Sequence, residues 1–472
     1  MFVEPLEYRS FNNGRAAVLF SPATCAVFVP DSISLSVLDL LGRRHQVTRE
    51  HLTGALSASY PPSAIEETID ELAKTGFVQL HTVDPGRRSA EAASREPIPL
   101  PGISHLVMNV SHDCNLKCTY CYADAGTYGR AGVLMSPGMA VSLVDFLLDT
   151  TWDNSVMVTF FGGEPLLNFE AVEAAVERGE RRAHELGKKI SFALTTNATL
   201  LDRRIISFLC SHNMKLTASV DGIRESHDRH RKYRNGRGSY DTVMARLKEL
   251  RGKLHVPIRA TLTRGNVDVV SLMDHLQEVG FHEIGFAPVD AIEEELCLDE
   301  TEMERMLEGF EILGGRFLAE ARENRVYGFT NIMNLMRLFH QGDSRPLPCG
   351  AGIKLAAASP EGEFSLCHRF AGNEAYRIGS IRDGMNDDRR RELLEPSLVS
   401  EKPACRACWA RHLCGGGCYY LSHIHHGNIR EPHQPTCSFL RKWYDYGIKV
   451  YSILALENPT FLEKFTGDEL TC

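Results

Sequence analysis

The sequence predicts an α/β chain in three parts: a small winged helix-turn-helix unit, a partial, open (β/α)6 barrel, and a cysteine-rich C-terminal part. Three observations carry that reading. Between residues 105 and 322, six short apolar runs alternate with segments of helical period, the pattern of a parallel sheet with right-handed crossovers. Ahead of them, residues 1–83 carry a hairpin signal followed by three capped helical segments. Beyond them, residues 331–440 lose the period and gain Gly, Pro and Cys; such a stretch lacks apolar material for a core of its own, and metal is the usual remedy.

Composition sets the outer limits. The 472 residues are 43% hydrophobic and 24% charged, ordinary for a globular chain and enough for two or three domains. A net charge of −9 offers no electrostatic case for nucleic acid or an anionic membrane surface. No apolar run reaches bilayer-spanning length, and the first ten residues lack a basic-then-apolar signal pattern. A cytoplasmic protein, with neither nucleic acid nor membrane as partner, is expected. The anomaly is cysteine. There are fourteen, and ten fall into two clusters, which in a reducing compartment points to metal rather than disulfides.

In the N-terminal unit, the runs Ala16–Phe20 and Cys25–Val29 flank Ser21-Pro22-Ala23-Thr24 and predict a hairpin. Asp31 is placed to cap a helix carrying Ile33, Val37, Leu38 and Leu41, and Thr48 a second with Leu52 and Leu56. Ser63 with Glu66 reads as a capping box ahead of Ile65, Ile69 and Leu72. Gly76 ends that helix before the closing strand Phe77–Leu80. The shape is commonly used on DNA, but its candidate recognition helix is acidic (Glu66, Glu67, Asp70, Glu71), and phosphates would repel it.

Residues 84–101 read as a linker, polar first and Pro-stiffened at Pro97, Pro99 and Pro101. The barrel spans 102–330, with strands expected at 106–110, 156–161, 190–195, 215–220, 256–262 and 283–289. Helices are expected at Ala140–Leu148, Phe169–Leu186, Arg203–Ser211, Asp241–Arg251 and Val269–Val279. Its active site belongs at the C-terminal ends of the strands. The cysteine-rich part covers 331–440 and a helical segment 441–472.

Directly after the first strand come Cys114, Cys118 and Cys121. Three thiolates on one loop can hold three irons of a four-iron cluster and leave the fourth open, the mark of a catalytic site. Zinc held by the three thiols and His112 is the alternative. After the second strand stands Phe161-Gly162-Gly163-Glu164-Pro165. There, adjacent glycines allow close backbone approach to an ammonium, and Glu164 fixes the turn or the charge.

With an aromatic, Tyr120, before the last cysteine, the first loop resembles that of the radical S-adenosylmethionine superfamily, and Gly162-Gly163-Glu164-Pro165 resembles its GGEP motif. The resemblance implies a TIM-like partial barrel of radical SAM type. It implies a [4Fe-4S] cluster whose open iron chelates S-adenosylmethionine and whose reduction yields a 5′-deoxyadenosyl radical. It also implies that Tyr120, Gly162, Gly163, Glu164, Thr196, Asn197, Ser219 and Arg231 line the cofactor site, with Arg231 on the methionyl carboxylate. A surface ion pair between Arg231 and Asp228 is the plainer alternative.

Seven more cysteines lie within 89 residues: Cys349, Cys367, Cys405, Cys408, Cys414, Cys418 and Cys437. The spacing resembles the seven-cysteine motif of SPASM domains, which implies two auxiliary [4Fe-4S] clusters and three clusters in all. By that resemblance Cys405, Cys408, Cys414 and Cys437 hold one fully, and Cys349, Cys367 and Cys418 hold the other with one iron short of a thiolate. His368 is a candidate for that place, a surface histidine being the alternative; a zinc knuckle is the alternative over Cys405–Cys418. Sulfatase-maturing members carry an extra cysteine after the first of the seven, and Gly350–Leu355 has none.

Fused to such an enzyme, the winged helix resembles the peptide-recognition elements that bind a leader segment as an added strand. Across nearly the whole chain the resemblance is to thioether-forming maturases: those of quinohemoprotein amine dehydrogenase first, then those of six-cysteine peptides. They join Cys sulfurs to Asp or Glu methylene carbons. The implied partners are a small Cys-rich polypeptide with a leader and an electron donor such as flavodoxin or ferredoxin. Asp221 and Asp228 are the candidates for the base that takes the thiol proton. The alternatives are a formylglycine-forming sulfatase maturase and a non-enzymatic peptide chaperone bearing clusters; neither motif after the first two strands is needed by a chaperone. Cys25, Cys210 and Cys297 read as packing residues, and Cys472 has no assigned role.

Overall fold

The computed structural model describes residues 1–44, 47–82, 97–342 and 344–466, and in it each apolar run of the barrel becomes a strand. We number them β1 (His105–Ser111), β2 (Ser155–Gly162), β3 (Lys189–Thr196), β4 (Lys215–Ser219), β5 (Ile258–Leu262) and β6 (Ile284–Pro288). They lie side by side in chain order and all parallel. Alternation sorts their side chains: Leu106, Met108 and Val110 join the large core, while His105, Val107, Asn109 and Ser111 take the other face. Two helices match expectation at both ends, Phe169–Leu186 and Arg203–Ser211. Gly187, at φ +66°, closes the first in the left-handed conformation. Asp202 caps the second by accepting from the Ile205 N–H at 2.8 Å.

The sheet continues past the barrel. Leu355–Ala358 pairs with β1, parallel, Leu355 opposite His105, and three short antiparallel strands follow (Glu363–Ser365, Arg377–Ser380, Gly384–Met385). The cysteine-rich part thus shares the barrel's sheet.

Contrary to the expectation from the sequence, periodicity does not end at residue 331. Thr330–Gln341 is a helix that buries Ile332, Leu335, Met336 and Phe339, an i, i+3, i+4, i+7 stripe overshadowed by the cysteines downstream. It packs on the helix Gln434–Glu457, where a Cβ at Gly447 would stand 2.5 Å from Leu335. That helix runs unbroken through the expected boundary at 440/441. Two further helices, Arg224–His230 and Glu300–Arg322, were also not anticipated.

In the N-terminal unit the hairpin forms, Leu19 opposite Phe28, and Asp31 and Thr48 cap their helices. The capping box at Ser63 does not. The helix begins at Pro62 without a side-chain cap, and Glu66 turns instead to Arg49 and to the Thr53 hydroxyl. A carboxylate one turn into the helix is better satisfied by a full cation than by one N–H. The closing strand, Val78–His81, pairs with Phe2–Pro5 rather than with the hairpin, which gains Arg9–Asn12 at its edge. Most of the linker, 84–96, lies outside the described residues; its stiff end is tied down where Arg390 donates to the Pro101 carbonyl at 3.2 Å. Phe11 and Phe20 pack edge-on against Trp409, centroids 5.8 and 5.6 Å away, joining this unit to the cysteine-rich part. Among the described residues, no helix is long and apolar enough to cross a membrane.

Candidate active site

The first cysteine loop leaves β1 and is held from three sides. Behind it, the segment after β4 binds it backbone to backbone: Lys117 N–H donates to Lys232 O at 2.7 Å and Thr119 N–H to His230 O at 3.2 Å. Beside it, Asn115 donates to the Thr199 hydroxyl and accepts from Asn197. Asn197 also points its amide at Cys114 Sγ, 3.8 Å away. Burial pushes the Cys114 and Cys118 thiols up to about 12 and about 11, so a metal must displace their protons to bind. No three His, Cys, Asp or Glu side chains among the described residues converge as ligands of a single ion. The His112 ring packs on Tyr128 at 4.7 Å, and its Nε2 is buried without a hydrogen-bond partner among the described residues. A four-iron cluster takes its thiolates on separate irons around a body, and the three-thiol loop fits that group.

Under the loop lies a buried ion pair. Arg231 is 8% exposed and Asp221 1%; Arg231 donates from Nε to Asp221 Oδ2 at 2.9 Å and from Nη2 to Oδ1 at 3.2 Å. The Tyr120 hydroxyl donates to Oδ2 and the Thr261 N–H to Oδ1 at 2.9 Å. Burial works to raise the Asp221 carboxyl, but Arg231, with help from His227 and the Tyr120 hydroxyl, outweighs it and holds the group below its ordinary range. Four donors fill a carboxylate's four acceptor positions. Asp221, a candidate base in the sequence, is therefore spent as an anchor. The surface pair of Arg231 with Asp228 does not form; Asp228 instead accepts from the Tyr240 N–H at 2.9 Å, starting a helix. Arg231 keeps its charge beside Cys118.

The Gly162-Gly163-Glu164 turn has a different logic from an ammonium cradle alone. A Cβ at Gly162 would meet Ser111 O at 2.3 Å, and one at Gly163 would meet Asp113 O at 2.1 Å. Both glycines therefore let the turn press against the cysteine loop, with Gly163 N–H donating to Ser111 O and Glu164 N–H to Asp113 O. Glu164 is fully enclosed and ties β2 to β3, accepting from Leu166 N–H, the Thr196 hydroxyl at 2.7 Å and Asn197 N–H at 2.8 Å. Burial raises its carboxyl to about 7. Ser219 is half-buried at the end of β4.

The seven further cysteines separate into the two expected groups. Cys405, Cys408, Cys414 and Cys437 line one cavity. Cys349 and Cys418 stand near Cys367, whose thiol burial pushes up to about 12. His368 is half-buried. It packs 4.6 Å from Phe161, beside the glycine turn, and 6.3 Å from Tyr122, and burial drops it to about 3. Sequence reasoning missed what joins the groups. Tyr122, next to Cys121, lies within electrostatic reach of both Cys121 and Cys367. Arg369, next to Cys367, sits 4.7 Å from the Tyr122 ring and pairs with Asp290. Their adjacency to ligand cysteines was the available signal. A wide surface cleft near Asp383 and Asp387 contains no cysteine.

This barrel, with three thiols at the end of its first strand, is a radical SAM fold, and residues 108–276 match the model of the radical SAM superfamily. The chain is 29% identical over 191 residues to the serine-type anaerobic sulfatase-maturating enzyme of Bacteroides thetaiotaomicron (39% of this chain, 45% of that one). It is 29% identical over 206 residues to the Fe-coproporphyrin III synthase of Methanosarcina barkeri (42% and 48%). It spans about half the length of most of the curated relatives it matches. Among solved structures, anSMEcpe with bound AdoMet and Kp18Cys peptide shares the fold at a TM-score of 0.64 and 21% identity, covering 75% of this chain and 99% of that one. SuiB of Streptococcus suis, bound to its precursor peptide SuiA, does so at 0.50 and 16%, covering 88% and 95%.

Proposed function

We propose that the protein is a radical S-adenosylmethionine enzyme that forms thioether crosslinks between Cys sulfurs and Asp or Glu methylene carbons in a small Cys-rich polypeptide. A dehydrogenase small subunit is the first candidate and a six-cysteine peptide the next. The observation that carries the reading is the division of ten cysteines into a barrel loop, a four-thiol cavity and a three-thiol group between them. That layout supports one cluster for S-adenosylmethionine and two auxiliary ones. When bound, these groups supply an adenosyl radical and a sink for the electron released as sulfur bonds to carbon. Cys114, Cys118 and Cys121 would hold the first; Gly162, Gly163, Thr196, Asn197, Ser219 and Arg231 surround it. The enclosed Glu164 and Asp221 keep those elements in register, and His368 packs against both Phe161 and Tyr122 beside them.

The three-cysteine inner group leaves a place for a substrate thiolate, and Val27–Phe28, at the edge of its three-stranded sheet, is where a leader segment would add as a further strand. SuiB and anSMEcpe, each solved with a peptide, support a peptide substrate. A second reading, oxidation of a sulfatase residue to formylglycine, is favoured by the Bacteroides relative; the missing cysteine in Gly350–Leu355 weighs against it.

Anaerobic reconstitution with dithionite, S-adenosylmethionine and the small Cys-rich product of a neighbouring gene tests the reading. Loss of two hydrogens per bond, with alkylation-resistant cysteines, is expected. An aldehyde product moves the assignment to the second reading. Absence of 5′-deoxyadenosine overturns both.

A further inference from the structure

Lys402 is 2% exposed, yet no carboxylate pairs with it among the described residues, as Asp221 does with Arg231 and Asp387 with Arg390. Its Nζ donates only to backbone carbonyls, Gly416 O at 2.8 Å and Ile429 O at 3.3 Å. A buried ammonium held by neutral groups alone is costly. The chain nevertheless closes around it: Gly416, at φ +93°, brings its backbone so near that a Cβ would stand 3.1 Å from Nζ. Nζ also lies over the Tyr419 ring, 5.8 Å from its centroid, and the Gly416 carbonyl that holds it stands in the chain between Cys414 of the four-thiol cavity and Cys418 of the inner group. Cys405, whose N–H donates to Lys402 O at 2.9 Å, favours the charged amine, as do Cys414, Cys437 and Cys418, though burial is the larger effect and holds the amine below its ordinary value. One cation therefore faces both groups of cysteines.

We infer that Lys402 is the shared counter-cation of the two auxiliary clusters, a fixed positive charge between them that raises the reduction potential of both. The inference rests on the proposal that the seven cysteines hold two clusters. Its physics is simple. A thiolate-ligated cluster is anionic and gains a further negative charge on reduction, so a nearby cation favours the reduced form. Local net charge and burial are among the factors that set such potentials. Lys402 acts through the clusters and is a positioning residue for charge.

The test uses the full chain with Cys114, Cys118 and Cys121 changed to Ala, so that only auxiliary centres remain, followed by electron paramagnetic resonance during a redox titration. Lys402→Met and Lys402→Gln, at undiminished iron content, are expected to titrate at lower potential, with Lys402→Arg close to the parent. Unchanged potentials in both neutral variants overturn the inference. Should the neutral variants lose iron, Lys402→Arg decides: retained iron supports a need for charge, and equal loss makes Lys402 a packing residue and overturns it. A parent protein without auxiliary iron instead overturns the two-cluster premise, and the inference with it.

Discussion

Arg231 and Asp221 meet in a two-pronged ion pair beneath the first cysteine loop, Nε to Oδ2 at 2.9 Å and Nη2 to Oδ1 at 3.2 Å. Tyr120, from the loop itself, donates to the same carboxylate. The pair therefore welds β4 and the segment after it to the loop that carries the thiols, and it makes Asp221 a structural anion.

Breaking one side should be worse than removing both. Asp221→Asn strands the guanidinium and should cost about 3–5 kcal/mol of unfolding free energy. The double variant Asp221→Asn with Arg231→Met should cost less than the sum of the singles. Urea unfolding of the metal-free protein measures all three.

Gly163→Ala should separate the glycine turn from the cysteine loop, because its Cβ has nowhere to go but into Asp113 O. S-adenosylmethionine binding, followed by calorimetry on reconstituted protein, should be lost while the four-thiol group keeps its iron.

The Glu164 carboxyl, raised by burial to about 7 from an ordinary 4.5, binds its proton more tightly folded than unfolded. Its contribution to stability is full below about pH 4.5 and is lost as pH rises through about 7. Melting temperatures of metal-free protein between pH 4.5 and 7.5 should therefore show a fall that Glu164→Gln flattens.

Iron content divides the clusters. About twelve irons per chain are expected. Changing Cys405, Cys408 and Cys437 together to Ala should remove about four and spare reductive cleavage of S-adenosylmethionine. Changing Cys114, Cys118 and Cys121 should abolish that cleavage.

Phe20 is fully buried against Trp409. Phe20→Ala should cost about 3–5 kcal/mol and make residues 1–82 more sensitive to limited proteolysis, since this contact ties that unit to the rest.

Much of this was legible in the chain because it is local. Phe169–Leu186 and Arg203–Ser211 announce themselves by period and by their ends, Gly187 and Asp202. The Cys114, Cys118, Cys121 spacing and the Gly162-Gly163-Glu164 turn each fit within eight residues. Local spacing misleads where a residue has several eligible partners. Glu66, placed to reach the nearest N–H, goes to Arg49; Arg231, expected on the methionyl carboxylate with a pair to Asp228 as the alternative, is held by Asp221, ten residues away.

Cysteine spacing and alternating periodicity by themselves determined the barrel and the two clusters of cysteines along the chain, since both are properties of short stretches; the division of the second cluster into four and three came from the resemblance to SPASM domains. Tertiary structure alone decided which charges meet. It buried Asp221 under four donors, packed His368 against Phe161, set Tyr122 within reach of two thiol groups and buried Lys402 against backbone carbonyls and the Tyr419 ring. The reason is range: helical period and ligand spacing act over a few residues, whereas the cost of burying a charge is met by whichever partner the folded chain brings within about 3 Å.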